Sequence, residues 1–286
     1  MKKLSAKWHT RMAHHLLDHR RQFNETGSWL SKIRVRQFSG HQMHQTQVSS
    51  PIRIAHLTDQ HVGRVTPLRV QTEAIDLALA QNPDVVVLTG DFVCHSELYL
   101  NDLTELMKRI NVPAFAVLGN HDHWTNAQAV KKALIEGGIE VLENAHTTIK
   151  VRNDYLQIVG LDDAYTGHAD AQKACQGLKK DVATIGLSHI AEQADILWPL
   201  GVPLVLSGHT HAGQVTVAGL HELILKKVVG HKYIHGFYGT QSDPSPKGAV
   251  YVSAGIGAAV MPLRMGEKGK REVAIFDIGK PFLEGF

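Results

Sequence analysis

The sequence predicts an α/β fold in which two packed β-sheets are flanked by helices. Between residues 52 and 136, short apolar strand candidates alternate with segments of helical periodicity, which is typical of α/β proteins. After residue 145 the chain adds more strand candidates than one sheet holds comfortably, and this favours a second sheet. The composition, with 43% apolar and 20% charged residues, is that of a globular protein with a substantial core.

Three strands and three helices account for the first half of the body. Residues 84–90 and 113–119 are almost continuously apolar, which indicates strands that are buried on both faces. Residues 52–58 form a strand candidate in front of them. Helical periodicity covers residues 68–80, 100–110 and 127–136, so that each of the three strands is followed by a helix.

Strand candidates dominate the second half of the chain. They cover residues 147–151, 155–160, 183–188, 203–207, 214–218, 249–253 and 272–277. Helices are expected near residues 169–178 and 191–197. This uneven division is the reason to expect two sheets with helices on the outside.

The chain shows no sign of a membrane span or a secretory signal. No stretch of 18 or more apolar residues is present, and no apolar segment follows the basic residues at the N-terminus. The two cysteines, Cys94 and Cys175, are far apart and are expected to be free thiols. These features favour a cytoplasmic protein and give no indication of its oligomeric state.

The first 50 residues are expected to form a basic arm and linker in front of a body at residues 51–286. Nine lysines and arginines against two acidic residues give this segment a charge of +7, whereas the rest of the chain carries −4. Such a division of charge predicts an anionic partner, and both a lipid surface and nucleic acid would supply one.

Two apolar clusters within residues 1–40 favour contact with an anionic membrane surface. They consist of Trp8, Met12, Leu16 and Leu17, and of Trp29, Leu30, Ile33, Val35 and Phe38. Bulky apolar side chains beside lysine and arginine are typical of a helix that lies in a membrane interface. The alternatives are a helix packed on the body or on a partner subunit, and an arm that binds nucleic acid. Residues 41–50 are expected to be a linker.

Polar residues fall directly after five of the predicted strands. They are Asp59 and His61, Asp91, Asn120 and His121, His189, and the pair His209 and His211. In α/β sheets the carboxyl ends of the strands line the ligand crevice. We therefore expect these side chains to converge in space, although they are spread over much of the chain.

The residue types suit a pair of divalent cations. Imidazole, carboxylate and amide ligands match borderline ions such as Mn²⁺, Fe or Zn²⁺ and do not single out one of them. Asp-x-His and His-x-His each place two ligands on one turn, while the two oxygens of Asp91 are suited to bridging two ions. Glycines at positions 90, 119 and 208 allow the backbone to turn sharply and to approach the site.

These residues also carry a family resemblance. The blocks Asp59-x-His61, Gly90-Asp91, Gly119-Asn120-His121-Asp122, His189 and Gly208-His209-Thr210-His211 occur in this order, and together they resemble the calcineurin-like metallophosphoesterases. The resemblance runs from about residue 52 to residue 278. It is greater to a bacterial branch of that family, because the last block continues as Ala212-Gly213-Gln214.

The resemblance implies a four-layer fold, with a two-sheet β sandwich between layers of helices, and it implies a role for each residue. One metal would be held by Asp59, His61 and His211, and the other by Asn120, His189 and His209. Asp91 would bridge the two ions. His121 would face the substrate phosphate, and Asp122 would orient its ring.

Two departures from the family pattern fall at the expected rim of the site. Ile190-Ala191-Glu192 follows His189, where the family often has an Asn-Pro-Asp turn, and the usual Pro-Glu after Arg264 is missing. Neither departure removes a ligand. Both concern the substrate pocket and leave the expected metal chemistry unchanged.

The implied activity is hydrolysis of a phosphate ester, a phosphodiester or pyrophosphate bond, by a metal-activated hydroxide. His121, as imidazolium, would stabilise the phosphate charge or protonate the leaving oxygen, and Arg264 is expected to contact the substrate. Narrower alternatives are a UDP-2,3-diacylglucosamine diphosphatase of lipid A synthesis, a nuclease, and a non-catalytic scaffold. The complete ligand set argues against the scaffold.

Overall fold

A computed structural model describes residues 33–213, 230–239, 248–258, 264 and 269–280 of the chain. Within these ranges the chain forms two six-stranded mixed sheets. The strands are β1 (Arg34–Ser39), β2 (Ile52–Leu57), β3 (Val85–Thr89), β4 (Ala114–Val117), β5 (Glu140–Val141), β6 (Ala145–Val151), β7 (Asp154–Gly160), β8 (Ala183–Leu187), β9 (Leu204–Ser207), β10 (Gly236–Tyr238), β11 (Ala249–Val252) and β12 (Glu272–Ile278).

Six α-helices accompany the strands in the described ranges. They are α1 (Leu68–Leu79), α2 (Leu100–Met107), α3 (Asn120–Thr125), α4 (Ala127–Glu136), α5 (Ala171–Ala174) and α6 (Ala194–Leu197). Short 3₁₀ turns add Gln42–Thr46, Glu97–Tyr99, Ala191–Gln193, Trp198–Leu200 and His211–Gly213. None of these helices has the length and apolar character needed to cross a bilayer.

The first sheet has the strand order β1-β12-β2-β3-β4-β5. Strands β2, β3, β4 and β5 run parallel, and β12 joins them antiparallel to β2. The second sheet has the order β10-β11-β9-β8-β7-β6, in which β7, β8, β9 and β11 are parallel. Each sheet therefore brings the carboxyl ends of several central strands to one edge.

Successive residues of the central strands enter different layers of the core. Ile54 and Val87 face the second sheet and pack with Ile185 and Leu206 in the cluster between the sheets. The neighbouring Ala55 and Leu88 pack instead against α1, α2 and α4 on the outer face of the first sheet. On the far side, Val205 and Val250 pack against α5 and α6. The result is the predicted order of helices, sheet, sheet and helices.

The N-terminal prediction is wrong for residues 33–50. Apolar and basic residues alternate in Ile33-Arg34-Val35-Arg36, and residues 34–39 form β1, which pairs in parallel with β12. Val35 packs on the helical side of the sheet, whereas Phe38 stacks on Phe276 with ring centroids 5.3 Å apart. An interfacial helix through this segment is therefore excluded. The expected arm residues 1–32 lie outside the described ranges.

The predicted linker at residues 41–50 packs on the body. The side chain of His44 is fully buried, and its Nε2 lies 2.9 Å from the carbonyl oxygen of Thr184 at the start of β8. Ser49 donates from its backbone N–H and its hydroxyl to the two carboxylate oxygens of Asp154. The folded body thus begins before residue 51, and the boundary expected at residue 50 is too late.

Most of the other predicted elements are present within one to three residues of their expected ends, although the helix expected at residues 169–178 shortens to α5. Strands β1, β5 and β10 and helix α3 are not among the predicted elements. The strand expected at residues 214–218 lies outside the described ranges. Helix α3 was missed because its six residues are Asn120-His-Asp-His-Trp-Thr125, which carry a functional pattern in place of an apolar periodicity.

We expect His44 to make the fold sensitive to acid. Burial lowers the pKa of this histidine from 6.5 to about 4, so that between these values the unfolded chain binds more protons than the folded one. The free energy of unfolding should therefore fall as the pH drops from about 6.5 to about 4, by up to about 3 kcal/mol from this residue. His44→Gln keeps an N–H donor for Thr184 and should remove the part of that dependence that comes from His44, measured by urea unfolding across this pH range, while other buried histidines keep theirs.

The matched control is His146→Gln, at a partly exposed histidine whose Nδ1 lies 2.9 Å from the carbonyl oxygen of Ala174. This variant measures what a histidine-to-glutamine replacement alone does to the free energy of unfolding. Equal slopes for the His44 variant and the unmodified protein would show that another group causes the acid sensitivity.

Candidate metal centre

The polar residues that follow β2, β3, β4, β8 and β9 converge between the two sheets, as the sequence predicts. Asp59, His61 and Asp91 come from the first sheet, and His189 and His211 come from the second. All five side chains are at least 90% buried. A buried group of carboxylates and imidazoles this dense requires a counter-ion or extensive hydrogen bonding.

A first cluster contains Asp59, His61, Asp91 and His211, whose potential ligand atoms all lie within 4.8 Å of one another. His61 Nε2 is 3.0 Å from His211 Nε2, and His211 Nε2 is 3.3 Å from a carboxylate oxygen of Asp59. His61 Nε2 is also 3.6 Å from Asp91 Oδ2. Two imidazole nitrogens that face each other and two carboxylates form a natural ligand set for a cation.

A second cluster contains Asp91, His189 and His209 and meets the same distance criterion. His189 Nε2 is 3.3 Å from Asp91 Oδ2, and His209 Nδ1 is 3.3 Å from His189 Nε2. Asp91 thus belongs to both clusters, in the position expected of a bridging carboxylate. Asn120 is buried beside them, and its Oδ1 has no hydrogen-bond partner among the described residues.

The backbone carries strain at this site. Asp59, His61, Asp91, His209 and His211 all adopt positive φ angles, between 44° and 74°. For residues with a Cβ this left-handed region costs free energy, and such residues gather where surrounding structure holds them for function. Five of the expected ligands are therefore fixed by their backbones as well as by their side chains.

Glycines allow the loops to approach the site closely. Gly90 has a φ of +86°, which directs the chain back toward the site just before Asp91. Gly119 has an ordinary φ, but a Cβ there would collide with the Asp91 carboxylate. A Cβ at Gly208 would collide with Thr58 and Asp59 in the same way. The expectation that these three glycines serve a turn and two close approaches is confirmed.

Asp122 organises the loops of the site and does not orient the His121 ring. Its Oδ2 accepts the backbone N–H groups of Asp91 and Gly119, both at 2.9 Å. Its Oδ1 accepts those of Phe92 at 2.8 Å and Val93 at 3.3 Å. The carboxylate is fully buried, so all its acceptor capacity goes to the backbone on both sides of the site. The expected catalytic role of Asp122 is wrong.

Arg264 binds the protein itself. Its guanidinium donates to the carbonyl oxygen of Ala254 at 2.7 Å and to that of Gly257, and its Nη2 lies 2.9 Å from His211 Nδ1. Burial, and then the charge of Arg271, lower the pKa of this arginine to about 9. The guanidinium thus holds the His211 ring through its Nδ1 and is occupied by protein groups. The structure therefore does not show the expected direct contact with substrate.

His121 lies at the mouth of the site. Its backbone N–H donates to Asp91 Oδ1 at 2.9 Å, and its ring Nε2 is 3.9 Å from Asp91 Oδ2. Burial lowers the pKa of its imidazole, and the neighbouring Asp91 charge opposes that shift only in part. The neutral ring, which still donates one N–H, is therefore the favoured form, and the expected imidazolium is not.

Three other histidines of the site are held in the neutral state, which is the state that binds metals. Burial lowers the pKa of His209 to about 3 and lowers those of His61 and His211 well below 6.5, which leaves neutral imidazoles with free lone pairs. His189 differs, because Asp91 and a hydrogen bond outweigh burial and raise its pKa to about 10. The proton on His189 partly neutralises the cluster when no cation does.

Sequence reasoning missed the group that orients His189. The ring Nδ1 lies 2.7 Å from the backbone carbonyl oxygen of Thr89, which fixes Nδ1 as the donor and leaves Nε2 for a ligand role. Thr58 donates its hydroxyl to the same carbonyl oxygen at 2.9 Å. A backbone carbonyl leaves no signature in a sequence, so no motif indicates this contact.

The comparisons with known proteins agree with this geometry. A family model described as calcineurin-like phosphoesterase matches residues 52–213. The chain belongs to the calcineurin-like phosphoesterase family. The match covers more than half of the chain and includes β2 to β9, the five loops that carry the expected ligands, and α3.

Three relatives are similar to this phosphoesterase over part of its length. It is 29% identical to the uncharacterized metallophosphoesterase YkuE of Bacillus subtilis, over 79% of this chain and 78% of that protein. It is 29% identical to phosphodiesterase YaeI of Escherichia coli, over 59% of this chain and 64% of YaeI. UDP-2,3-diacylglucosamine pyrophosphatase LpxG of Chlamydia muridarum is 24% identical, over 72% of this chain and 78% of LpxG.

The residues of this phosphoesterase fit divalent metal ions. Two clusters of imidazole and carboxylate groups share one carboxylate, and Asn120 adds a buried amide oxygen that has no partner in the described ranges. His61 Nδ1 is likewise buried and unpartnered there, so the ring is free to present Nε2 toward Asp91 and His211. The ligand types match Mn²⁺, Fe and Zn²⁺ alike.

We expect the replacement Asp122→Ala to destabilise the loops of the site and to weaken metal binding. Four backbone N–H groups lose their acceptor, and a buried unsatisfied donor costs about 1–3 kcal/mol. The free energy of unfolding in urea should fall by at least about 3 kcal/mol, and the metal content after dialysis against Mn²⁺ should fall with it.

Asp76→Ala is the matched control, since this exposed aspartate makes an ion pair with Arg109 at 2.6 Å on the surface. It should cost less than about 1 kcal/mol and leave metal binding unchanged. A metal content that stays normal in the Asp122 variant would refute the organising role.

Proposed function

We propose that the protein is a phosphodiesterase that works with two divalent metal ions. The observation that carries the proposal is the shared position of Asp91 in two adjoining ligand clusters. A pair of ions bridged by one carboxylate is suited to binding a phosphate group and activating water against it. The assigned ligands are Asp59, His61, Asp91 and His211 for one ion, and Asp91, Asn120, His189 and His209 for the other.

Two ions held there would supply Lewis acidity, which activates water and neutralises the charge on phosphate oxygens. The chain itself supplies position. Asp91 is fixed through its backbone by Asp122 and through Oδ1 by the His121 N–H, so its other oxygen is aimed at both histidine groups. His189 is aimed by the Thr89 carbonyl, and His211 is supported by Arg264. Preorganisation of this kind avoids reorganisation during the reaction.

His121 is the residue we assign to the leaving group. It lies beside Asp91 and stays partly open to solvent, whereas most of the ligands are closed off. Because its pKa is lowered, the ring is neutral, and its N–H donates a hydrogen bond that stabilises the charge on the ester oxygen as the P–O bond breaks. None of the described residues assigned to the site is a serine or a cysteine, so we assign the attack on phosphorus to water, without a covalent intermediate.

Phosphodiesters are favoured as substrates by the similarity to YaeI, which is named a phosphodiesterase. The similarity to LpxG favours a second candidate, a pyrophosphatase acting on UDP-2,3-diacylglucosamine. Such a substrate is lipid-linked, and the basic residues 1–32 would bring the enzyme to an anionic membrane surface. Nuclease action and a scaffold role have no comparable support.

The proposal predicts activity that depends on metal. The protein stripped by a chelator should be inactive and should regain hydrolysis of bis(p-nitrophenyl) phosphate when Mn²⁺ is restored, with slower hydrolysis of the monoester. Asp91→Ala and His209→Ala should each reduce kcat/KM by at least about 100-fold, because each removes a ligand. Zn²⁺ and Fe²⁺ reconstitution in parallel would show which ion supports the highest rate.

The controls separate loss of chemistry from loss of fold. Unfolding curves of both variants should show a folded protein, and His44→Gln should retain full activity. Failure of the stripped protein to take up any metal would contradict the assignment of the metal ligands. Metal uptake without hydrolysis of either ester would contradict the phosphodiesterase proposal and leave the ligand assignment standing.

The role of His121 can be tested through the leaving group. In His121→Ala the metal content should be normal, and kcat should fall by about 100-fold or more for a diester with an alkyl leaving group. The loss should be much smaller for a p-nitrophenyl leaving group, which carries its negative charge without help. Equal losses for both substrates would assign His121 to binding rather than to stabilisation of the leaving oxygen.

A further inference from the structure

Two exposed aromatic side chains stand directly beside the metal centre. Trp124 is 52% exposed and Tyr165 is 59% exposed, and their ring centroids are 5.7 Å apart in an edge-to-face arrangement. We call Trp124 and Tyr165 the aromatic pair. They come from separate segments, helix α3 and the loop after β7, so the chain has brought two large rings together in solvent.

Each ring of the aromatic pair touches a histidine of the site. The Trp124 centroid is 5.0 Å from that of His121, and the Tyr165 centroid is 5.5 Å from that of His209. His95 lies parallel to Trp124, with an interplanar angle of 7° and centroids 6.0 Å apart. A phosphate at the metal centre would therefore carry its ester group past these rings.

Both rings are held on rigid supports. Helix α3 is anchored through the buried Asp122 carboxylate, and Thr125 donates its hydroxyl to the His121 carbonyl oxygen at 2.8 Å. The Tyr165 loop is closed by Asp163, whose Oδ2 accepts the Thr166 N–H and hydroxyl, both at 2.7 Å. Exposed aromatic rings on anchored backbone lose little entropy when a ligand packs on them.

We propose that the aromatic pair binds a planar ring of the substrate, a nucleobase attached through its sugar to the phosphate at the metals. Among the described residues, the pair is surrounded by histidine rings and the polar turn at Thr166, which offer flat faces rather than the long apolar groove that an acyl chain needs. Stacking of a base on an aromatic side chain tolerates any base, since each presents a π face. This inference rests on the proposed function and adds the class of substrate.

The test compares two ligands that differ by the base alone. Adenosine 5′-monophosphate and ribose 5-phosphate would be titrated into the full-length, Mn²⁺-loaded protein by calorimetry. The nucleotide should bind at least about tenfold more tightly, because stacking of one base is worth about 1–3 kcal/mol. Trp124→Ala and Tyr165→Ala should each weaken nucleotide binding by about 5- to 100-fold and change ribose 5-phosphate binding by less than about twofold.

Two sets of controls guard the interpretation. Trp124→Phe and Tyr165→Phe keep a ring and should retain most of the nucleotide affinity. Tyr155→Ala removes a comparably exposed ring at the far end of β7, 52% exposed, and should have no effect. Unfolding curves of the alanine variants should stay close to that of the unmodified protein, because both rings are more than half exposed.

Equal affinity for the two phosphates, or equal weakening of both in the alanine variants, would overturn the inference. Tighter binding of octyl phosphate than of the nucleotide would overturn it in favour of an acyl chain. In these cases metal-dependent diester hydrolysis would persist. Failure of the proposed function would give a different result. Both phosphates would then bind equally well to metal-loaded and metal-free protein, and that result would also contradict the inference about the aromatic pair.

Discussion

The Asp91 carboxylate is the group on which the metal centre depends. It contacts the rings of His61 and His189 at 3.6 and 3.3 Å, and it accepts the backbone N–H of His121. A carboxylate 99% buried is costly unless hydrogen bonds and opposite charges offset its loss of water. Those contacts, led by the charge of His189, hold the pKa of Asp91 well below its usual value despite burial, so the group stays ionised where two ligand sets meet.

The rest of the fold serves to hold that carboxylate and its neighbours in place. The loops after β2 and β3 bond to each other through Asp59 N–H to the Gly90 carbonyl and His61 N–H to the Asp91 carbonyl, at 3.0 and 2.9 Å. Asp122 ties the loops after β3 and β4. The positive φ angles of the ligands are sustained because apolar clusters on both sides of each sheet fix the strands that carry these loops.

The candidate ligands and the fold class can both be predicted from the sequence because both leave local signals. Apolar runs that end in Gly, Asp, Asn or His mark buried strands followed by functional loops, and five such runs in order specify both the sheet and the site. The strand β1 leaves a weaker signal, since only Ile33 and Val35 alternate with basic residues, and the basic charge of the segment favours a membrane helix instead.

Other features could not be read because they depend on which groups meet in space. Asp122 follows His121 in the chain and was assigned to its ring, yet the carboxylate turns to four backbone N–H groups. Arg264 has the charge expected of a phosphate ligand, yet the carbonyl oxygens of Ala254 and Gly257 and the ring of His211 use its donors. Sequence patterns give residue types at strand ends, whereas hydrogen-bond partners are set by tertiary packing.

The buried cluster and the exposed rings beside it contribute differently to substrate specificity. The ligand side chains present polar groups to a phosphate and little apolar surface with which to distinguish one ester group from another. Discrimination must therefore come from residues around the mouth, and the aromatic pair is the large apolar surface that the described residues place there. Neither ring hydrogen-bonds to Asp91, so a change of either ring would leave the contacts of that carboxylate with His61, His189 and the His121 N–H in place. The buried cluster and the choice of substrate would therefore depend on different side chains.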